Sequence, residues 1–130
     1  METIVNTITN KSKVPKNTFK EKHSLEERKI SSKRIMEKNP DRYPIIVIPG
    51  DGIKIDKEKY LVPSDVTVGS FFYILRQRVN LKPEEAMFLF VNNTLPPVSA
   101  LVSHIYNEHK DEDGYLYATL LREQVYGILL

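Results

Sequence analysis

The chain of 130 residues has no cysteine. That excludes disulfides, thiol catalysis and cysteine-held zinc, and it fits a reducing compartment. No apolar run approaches the roughly 18 residues that span a bilayer. The opening METIVNTITNKSKVPKNT has no apolar core ahead of a small-residue cleavage site, which argues against a secretory signal. Glu2 stands where N-myristoylation needs glycine. Histidine is scarce as well. His104 and His109 are five positions apart and share no helix face, and His23 is distant, so no metal set assembles. Gly50-Asp51-Gly52 is too short for a dinucleotide fingerprint, and the carboxylate runs Glu84-Glu85 and Asp111–Asp113 read as solvated turns. Without a converging constellation the chain is expected to be no enzyme and to need no metal or cofactor.

What is present is the composition of one ordinary globular domain, 41% hydrophobic and 28% charged. The net charge of +2 hides an asymmetry. Residues 1–39 carry ten Lys/Arg against five Asp/Glu, and residues 40–130 carry nine against twelve. A basic N-terminal part on a mildly acidic body can meet an anionic partner, or simply be a solvated helix surface. Aromatics do not interleave with its basic residues, so no nucleic-acid partner is expected.

Residues 1–18 read as a flexible extension, polar and without a sustained period. Residues 19–39 read as helical: a short turn or helix from Phe19, then a helix capped by Ser24 with Glu27 closing a capping box. Its apolar stripe, Leu25, Ile30, Ile35 and Met36, is thin, which predicts a helix lying across the surface. Pro40 ends it. Pro44–Ile48 is a β-branched run expected as a buried strand, followed by the turn Asp51-Gly52 and a return strand at Tyr60–Val62. Thr67 opens a helix with Val68, Phe71, Phe72, Leu75 and Val79 on one face. Ala86–Val91 is a strand closed by Asn92-Asn93. Ser99 is the expected cap of a short helix with Leu101, Val102, Ile105 and Tyr106 on one face, and Tyr115–Leu121 is the last strand.

This order, two helices and then β, β, α, β, short α, β, gives an α+β fold. Its form is a ubiquitin-like β-grasp, a four-stranded mixed sheet with a crossover helix, preceded by two N-terminal helices. The crossover rule makes the strand after the main helix parallel to one of the first pair. Within it, Lys57–Ser70 stands out. Pro63 lacks an amide hydrogen and suits a strand end or a sheet edge, where Lys57 and Lys59 discourage unwanted pairing and a peptide could add a strand.

Four strings bring a family into view: PDRYP (Pro40–Pro44), DKEKYLVPSDVTVG (Asp56–Gly69), LFVNNTLPP (Leu89–Pro97) and VYG (Val125–Gly127). From about Phe19 to Gly127 the chain resembles the autophagy-related protein eight family of ubiquitin-like modifiers, of the GABA-receptor-associated protein type. The resemblance implies a ubiquitin-like domain over 40–127 and a tail, Ile128–Leu130, removed by a processing cysteine protease. Gly127 would then pass through E1-like and E2-like conjugation enzymes to phosphatidylethanolamine. A residue without a side chain suits a tail threaded through a narrow cleft. Two acyl chains anchor stably where one does not.

The resemblance further implies a docking site for cargo-receptor peptides carrying an acidic-flanked aromatic-x-x-aliphatic motif. Pocket one would use Ile35, Pro44, Ile46, Lys59, Leu61 and Tyr115. Pocket two would use Tyr60, Val62, Pro63, Val66, Phe71 and Ile74. Arg42, Lys57, Lys59 and Arg78 would meet the ligand's acidic flank, and Phe88 with Phe90 would form a surface tied to processing and membranes. Core packing is the competing reading for each apolar residue, above all Phe71 and Ile74, whose helix faces the sheet. Tubulin is a further candidate partner. The implied setting is the cytoplasm and, after lipidation, the membranes of autophagosomes and cytoplasmic vesicles. Several departures bear on peptide preference: Pro49–Asp56 is a few residues shorter, the N-terminal extension is longer, Ser31 replaces an acidic residue near pocket one, Tyr115 replaces a phenylalanine, and Glu58 interrupts what is often a basic run. A trafficking or microtubule-associated adaptor that is never conjugated, and a modifier joined to a protein lysine, remain alternatives.

Overall fold

The run Pro44–Ile48 becomes the heart of a four-stranded sheet. In the computed structural model, which describes residues 15–123, it belongs to β1, Arg42–Pro49. The other strands are β2 (Lys59–Pro63), β3 (Met87–Phe90) and β4 (Leu116–Arg122), and the spatial order is β2-β1-β4-β3. β1 pairs antiparallel with β2 and parallel with β4, and β3 pairs antiparallel with β4. The hydrogen-bonded parallel neighbour of β1 is thus the last strand. β3, which follows the main helix, runs parallel to β2 from the opposite edge.

β1 is buried continuously from Pro44 to Ile48 because both its faces are covered, which is why its sequence does not alternate. β2, at an edge, alternates instead: Tyr60 and Val62 are buried, Lys59, Leu61 and Pro63 half-buried. On one face lies α3 (Val68–Arg78), with Val68, Phe71 and Leu75 pointing into the main core beside Ile45, Val47, Tyr60 and Val62. Thr67 caps it by accepting from the Ser70 amide. α4 (Val102–His109) closes the same core with Val102, Ile105 and Tyr106. Asn92 and Asn93 hold positive φ in the turn after β3, a conformation asparagine tolerates better than most residues.

The N-terminal helices cover the opposite face. α1 (Thr18–Lys22) is capped by Asn17, so the helical part begins one residue before Phe19. α2 (Leu25–Lys38) starts on the complete Ser24–Glu27 capping box and ends at Asn39, before Pro40. The extension before residue 15 lies outside the described residues.

Three expectations are corrected. Ser99 is not the cap of α4: the cap position is Leu101, with no side-chain bond, and Leu101 is 44% exposed. That start is fixed by backbone pairing, the Val102 amide donating to Val66 O and the Val68 amide to Ala100 O, both at 2.8 Å. On α2, Ile30 is 52% exposed, while the helix's buried residue is Ser32. Asp113 is not solvated but 1% exposed, inside the turn before β4.

Candidate functional site

β2 ends one side of the sheet, and its backbone there is the edge a strand could extend. The pleat sends its side chains two ways. Lys59 and Leu61 sit opposite Ile46 and Pro44 across the β1 pairing, on the side of the N-terminal helices. Tyr60 and Val62 go to the α3 side.

On the first side the structure brings together all six residues expected for pocket one. Tyr115, Ile46 and Pro44 are fully buried, and Ile35, Lys59 and Leu61 are half-buried around them. The floor is shared with Phe19, a residue the sequence did not single out. Its ring meets Tyr115 edge-on at 5.1 Å and forms one cluster with Ile46, Ile35 and Tyr117. The Lys59 ammonium lies 5.4 Å from both the Phe19 and Tyr115 ring centres, a cation–π position over the cluster. Ser31, one helical turn before Ile35, places its hydroxyl 2.6 Å from the Tyr115 hydroxyl.

On the second side Tyr60, Val62 and Phe71 are core residues. Tyr60 and Phe71 stack edge-on at 5.7 Å. Pro63 and Val66 are half-buried, and Ile74, 46% exposed, faces outward instead of into the sheet. Core packing therefore holds for Phe71 and fails for Ile74. The Tyr60 hydroxyl is buried without a hydrogen-bond partner, and burial raises its pKa.

Three of the four expected cations gather at this edge. Lys57 lies 5.2 Å and Arg78 6.0 Å from the Tyr60 ring, and Lys59 stands on the other side, over the Phe19 and Tyr115 rings. Arg78 is partly engaged by Asp56 at 3.2 Å, a neighbour the sequence did not suggest. Arg42 sits farther along, opposite Pro63, where its guanidinium donates to Leu61 O at 3.4 Å.

Beneath pocket one is a polar network that sequence reasoning missed entirely. Arg28 donates to the Asp113 carboxylate at 2.8 Å, and so does the Tyr117 hydroxyl at 2.5 Å. The Tyr115 amide donates to the other carboxylate oxygen at 2.8 Å, and the Ser32 hydroxyl to the Asp113 carbonyl at 2.5 Å. Burial, then the bond to Asp113, push the Tyr117 pKa far up. Lys20 pairs with Asp111 at 2.7 Å. Burial raises the Asp111 pKa, but that pair and the Asp113 amide outweigh it and hold it below the usual carboxylate range. Gly114, with φ +92°, is required here, because a Cβ would collide with Ser32 Oγ.

Phe88 and Phe90 lie on one face of the far edge strand, as alternation predicts. Phe90 is buried against Leu121, and Phe88 is half-buried. Nearby the Glu123 amide donates to Ala86 O at 3.0 Å, beside a cleft of about 230 Å³ lined by Glu84, Glu85, Ala86, Arg122 and Glu123. Gly127 and the Ile128–Leu130 tail lie outside the described residues. Among the described residues no group of three or more His, Asp or Glu could hold a metal ion, and no helix is long and apolar enough to cross a membrane.

Known proteins agree with this architecture. The family model "Autophagy protein Atg8 ubiquitin like" matches residues 27–127. Autophagy-related protein 8B of Oryza sativa subsp. indica is 53% identical over 117 residues, covering 88% of this chain and 98% of that protein. Autophagy-related protein 8 of Schizosaccharomyces pombe is 54% identical over 112 residues, covering 84% and 93%. Among solved structures, Trypanosoma brucei ATG8 superposes with TM-score 0.75 at 40% identity, over 83% of this chain and 96% of that one. Plasmodium falciparum Atg8, solved in complex with a Plasmodium falciparum Atg3 peptide, gives TM-score 0.74 at 33% identity, over the same shares. With its strand order, two leading helices and these relatives in agreement, the chain belongs to the Atg8 family of autophagy ubiquitin-like proteins.

Proposed function

We propose that this protein is a lipid-conjugated autophagy modifier that docks cargo-receptor peptides, acting as an adaptor with no catalysis of its own. The observation that carries the docking half is the β2 edge. Its outer backbone, where the Arg42 guanidinium reaches Leu61 O at 3.4 Å, lies between two apolar clusters on opposite faces of the sheet, with Lys57, Lys59 and Arg78 around it. An extended peptide pairing with β2 would present alternate side chains to the two clusters, an aromatic over the Phe19–Tyr115 side and an aliphatic near Ile74. Its acidic flank would meet the lysines, speeding encounter and setting register. The P. falciparum relative's peptide complex supports a peptide-binding role.

The conjugation half rests on Val125-Tyr126-Gly127 in a chain of this family. A cysteine protease would hydrolyse the Gly127–Ile128 bond, and an E1-like enzyme would activate the new carboxylate. The E2-like cysteine would then hold it as a thioester. The amine of phosphatidylethanolamine displaces the thiol and forms the amide. The protein would move from the cytoplasm to autophagosome and vesicle membranes. Intact mass of the cellular protein tests this directly: loss of Ile128–Leu130 plus a phospholipid increment is expected, with both absent in Gly127→Ala. Membrane attachment of that variant at the wild-type level would refute conjugation. A full-length, unmodified chain would instead select an adaptor that uses the same edge without lipid.

A further inference from the structure

Two departures from the family pattern, Ser31 and Tyr115, prove to be one feature, since their hydroxyls meet at 2.6 Å. Either oxygen could donate, and counting protons decides which. The Ser31 hydroxyl also lies 3.2 Å from the Arg28 carbonyl, where it can only donate. If Ser31 gave its proton to Tyr115, the phenolic proton of Tyr115, on a fully buried side chain, would have no acceptor. A buried donor left unmade is costlier than a modest hydrogen bond is favourable. Tyr115 therefore donates to Ser31, and Ser31 donates to Arg28 O.

In that arrangement Ser31 has spent its only proton and keeps one oxygen lone pair. The residue is half-exposed, stands one turn from Ile35 and touches Tyr115, so the lone pair lies at the rim of pocket one. Ser31 thus offers the rim a neutral acceptor and no donor, while the Lys59 ammonium over the same rings can donate but not accept. We propose that Ser31, held by Tyr115, is a specificity-determining residue that selects peptides whose aromatic anchor carries a ring donor, an indole N–H or a phenol O–H. A phenylalanine anchor would fill the same space and leave the acceptor dry. A site built to bond such a group discriminates against the analogue lacking it.

This rests on the docking reading above, and the test separates the two. Peptides with an acidic flank and an aliphatic at the fourth position are made in matched pairs: Trp against its benzothienyl isostere, which lacks the N–H, and Tyr against Phe. Titration by calorimetry with the full chain should show the donor member of at least one pair binding roughly fivefold tighter. Ser31→Ala strands the Tyr115 proton, so the variant of choice is Ser31→Ala/Tyr115→Phe, which removes both hydroxyls together. That gap should close in the double variant and persist in Ser31→Thr, which keeps the hydroxyl. If all peptides bind with ratios near one, or the gap survives in the double variant, the selectivity proposal fails while docking stands. If no peptide binds, both fall.

Discussion

Helix α3, with 11 residues, rests on one face of the sheet through Val68, Phe71 and Leu75, whereas α2, with 14, rests on the other and buries only Ser32. Burying each large apolar side chain is worth about 1.5–3 kcal/mol and asks little of geometry. α2 has few such groups. It is held by Arg28 and Ser32 on the Asp113 turn and by Ser31 on Tyr115. Polar bonds of this kind demand exact partners and penalise any one left unmade. One cover is fastened by area and the other by directed contacts. Pocket two shares residues with the first, while the floor of pocket one lies under the second.

The strongest test of the comparison is Leu75→Ala. Leu75 is fully buried, and the substitution should cost about 4 kcal/mol, near the upper end for such cavities. Urea unfolding should show it, with hydrogen exchange accelerated across α3 and the sheet together. Next is Arg28→Ala, which leaves the Asp113 carboxylate buried without its cation and should cost about 3 kcal/mol. Here amide exchange should speed up in α1 and α2 while α3 keeps its protection. Equal loss of protection in α2 and α3 would erase the distinction between the two covers.

The smallest effect near neutral pH concerns the tyrosines. Burial raises the hydroxyl pKa of Tyr117, Tyr106 and Tyr60. A raised folded-state pKa means the native state holds its proton more tightly than the unfolded chain does. The stability is therefore complete below the unfolded value of about 10 and is lost as pH climbs above it. Urea midpoints should be flat from pH 7 to 9 and fall beyond that. Tyr117→Phe should blunt the fall, and a profile unchanged by that variant would remove Tyr117 from the account.

Much of the fold was legible because period and punctuation are local. The capping box at Ser24, the edge strand ending at Pro63 and the apolar face of α3 all follow from residues a few positions apart. The two-sidedness of the β2 edge was legible for the same reason, since alternation within Lys59–Pro63 already divides its side chains between two faces. What failed was local reasoning applied to distant partners. Asp113 looked like one more carboxylate in a charged turn, but its cation comes from 85 residues away. Ser99 looked like a cap, yet α4 takes its start from a backbone pairing with Val66. Ile30 fitted a thin stripe, but the face that meets the sheet is centred on Ser32.

The sequence by itself determined the order of elements, the edge position of β2 and the family. Each depends on patterns within a short window or on strings shared with relatives. Only the tertiary structure decided that Phe19 shares the floor of pocket one, that Asp113 is the buried anchor of the N-terminal helices, and that Ser31 and Tyr115 act as a pair. A side chain's period says which way it points, but what waits there is set by how the chain folds back on itself.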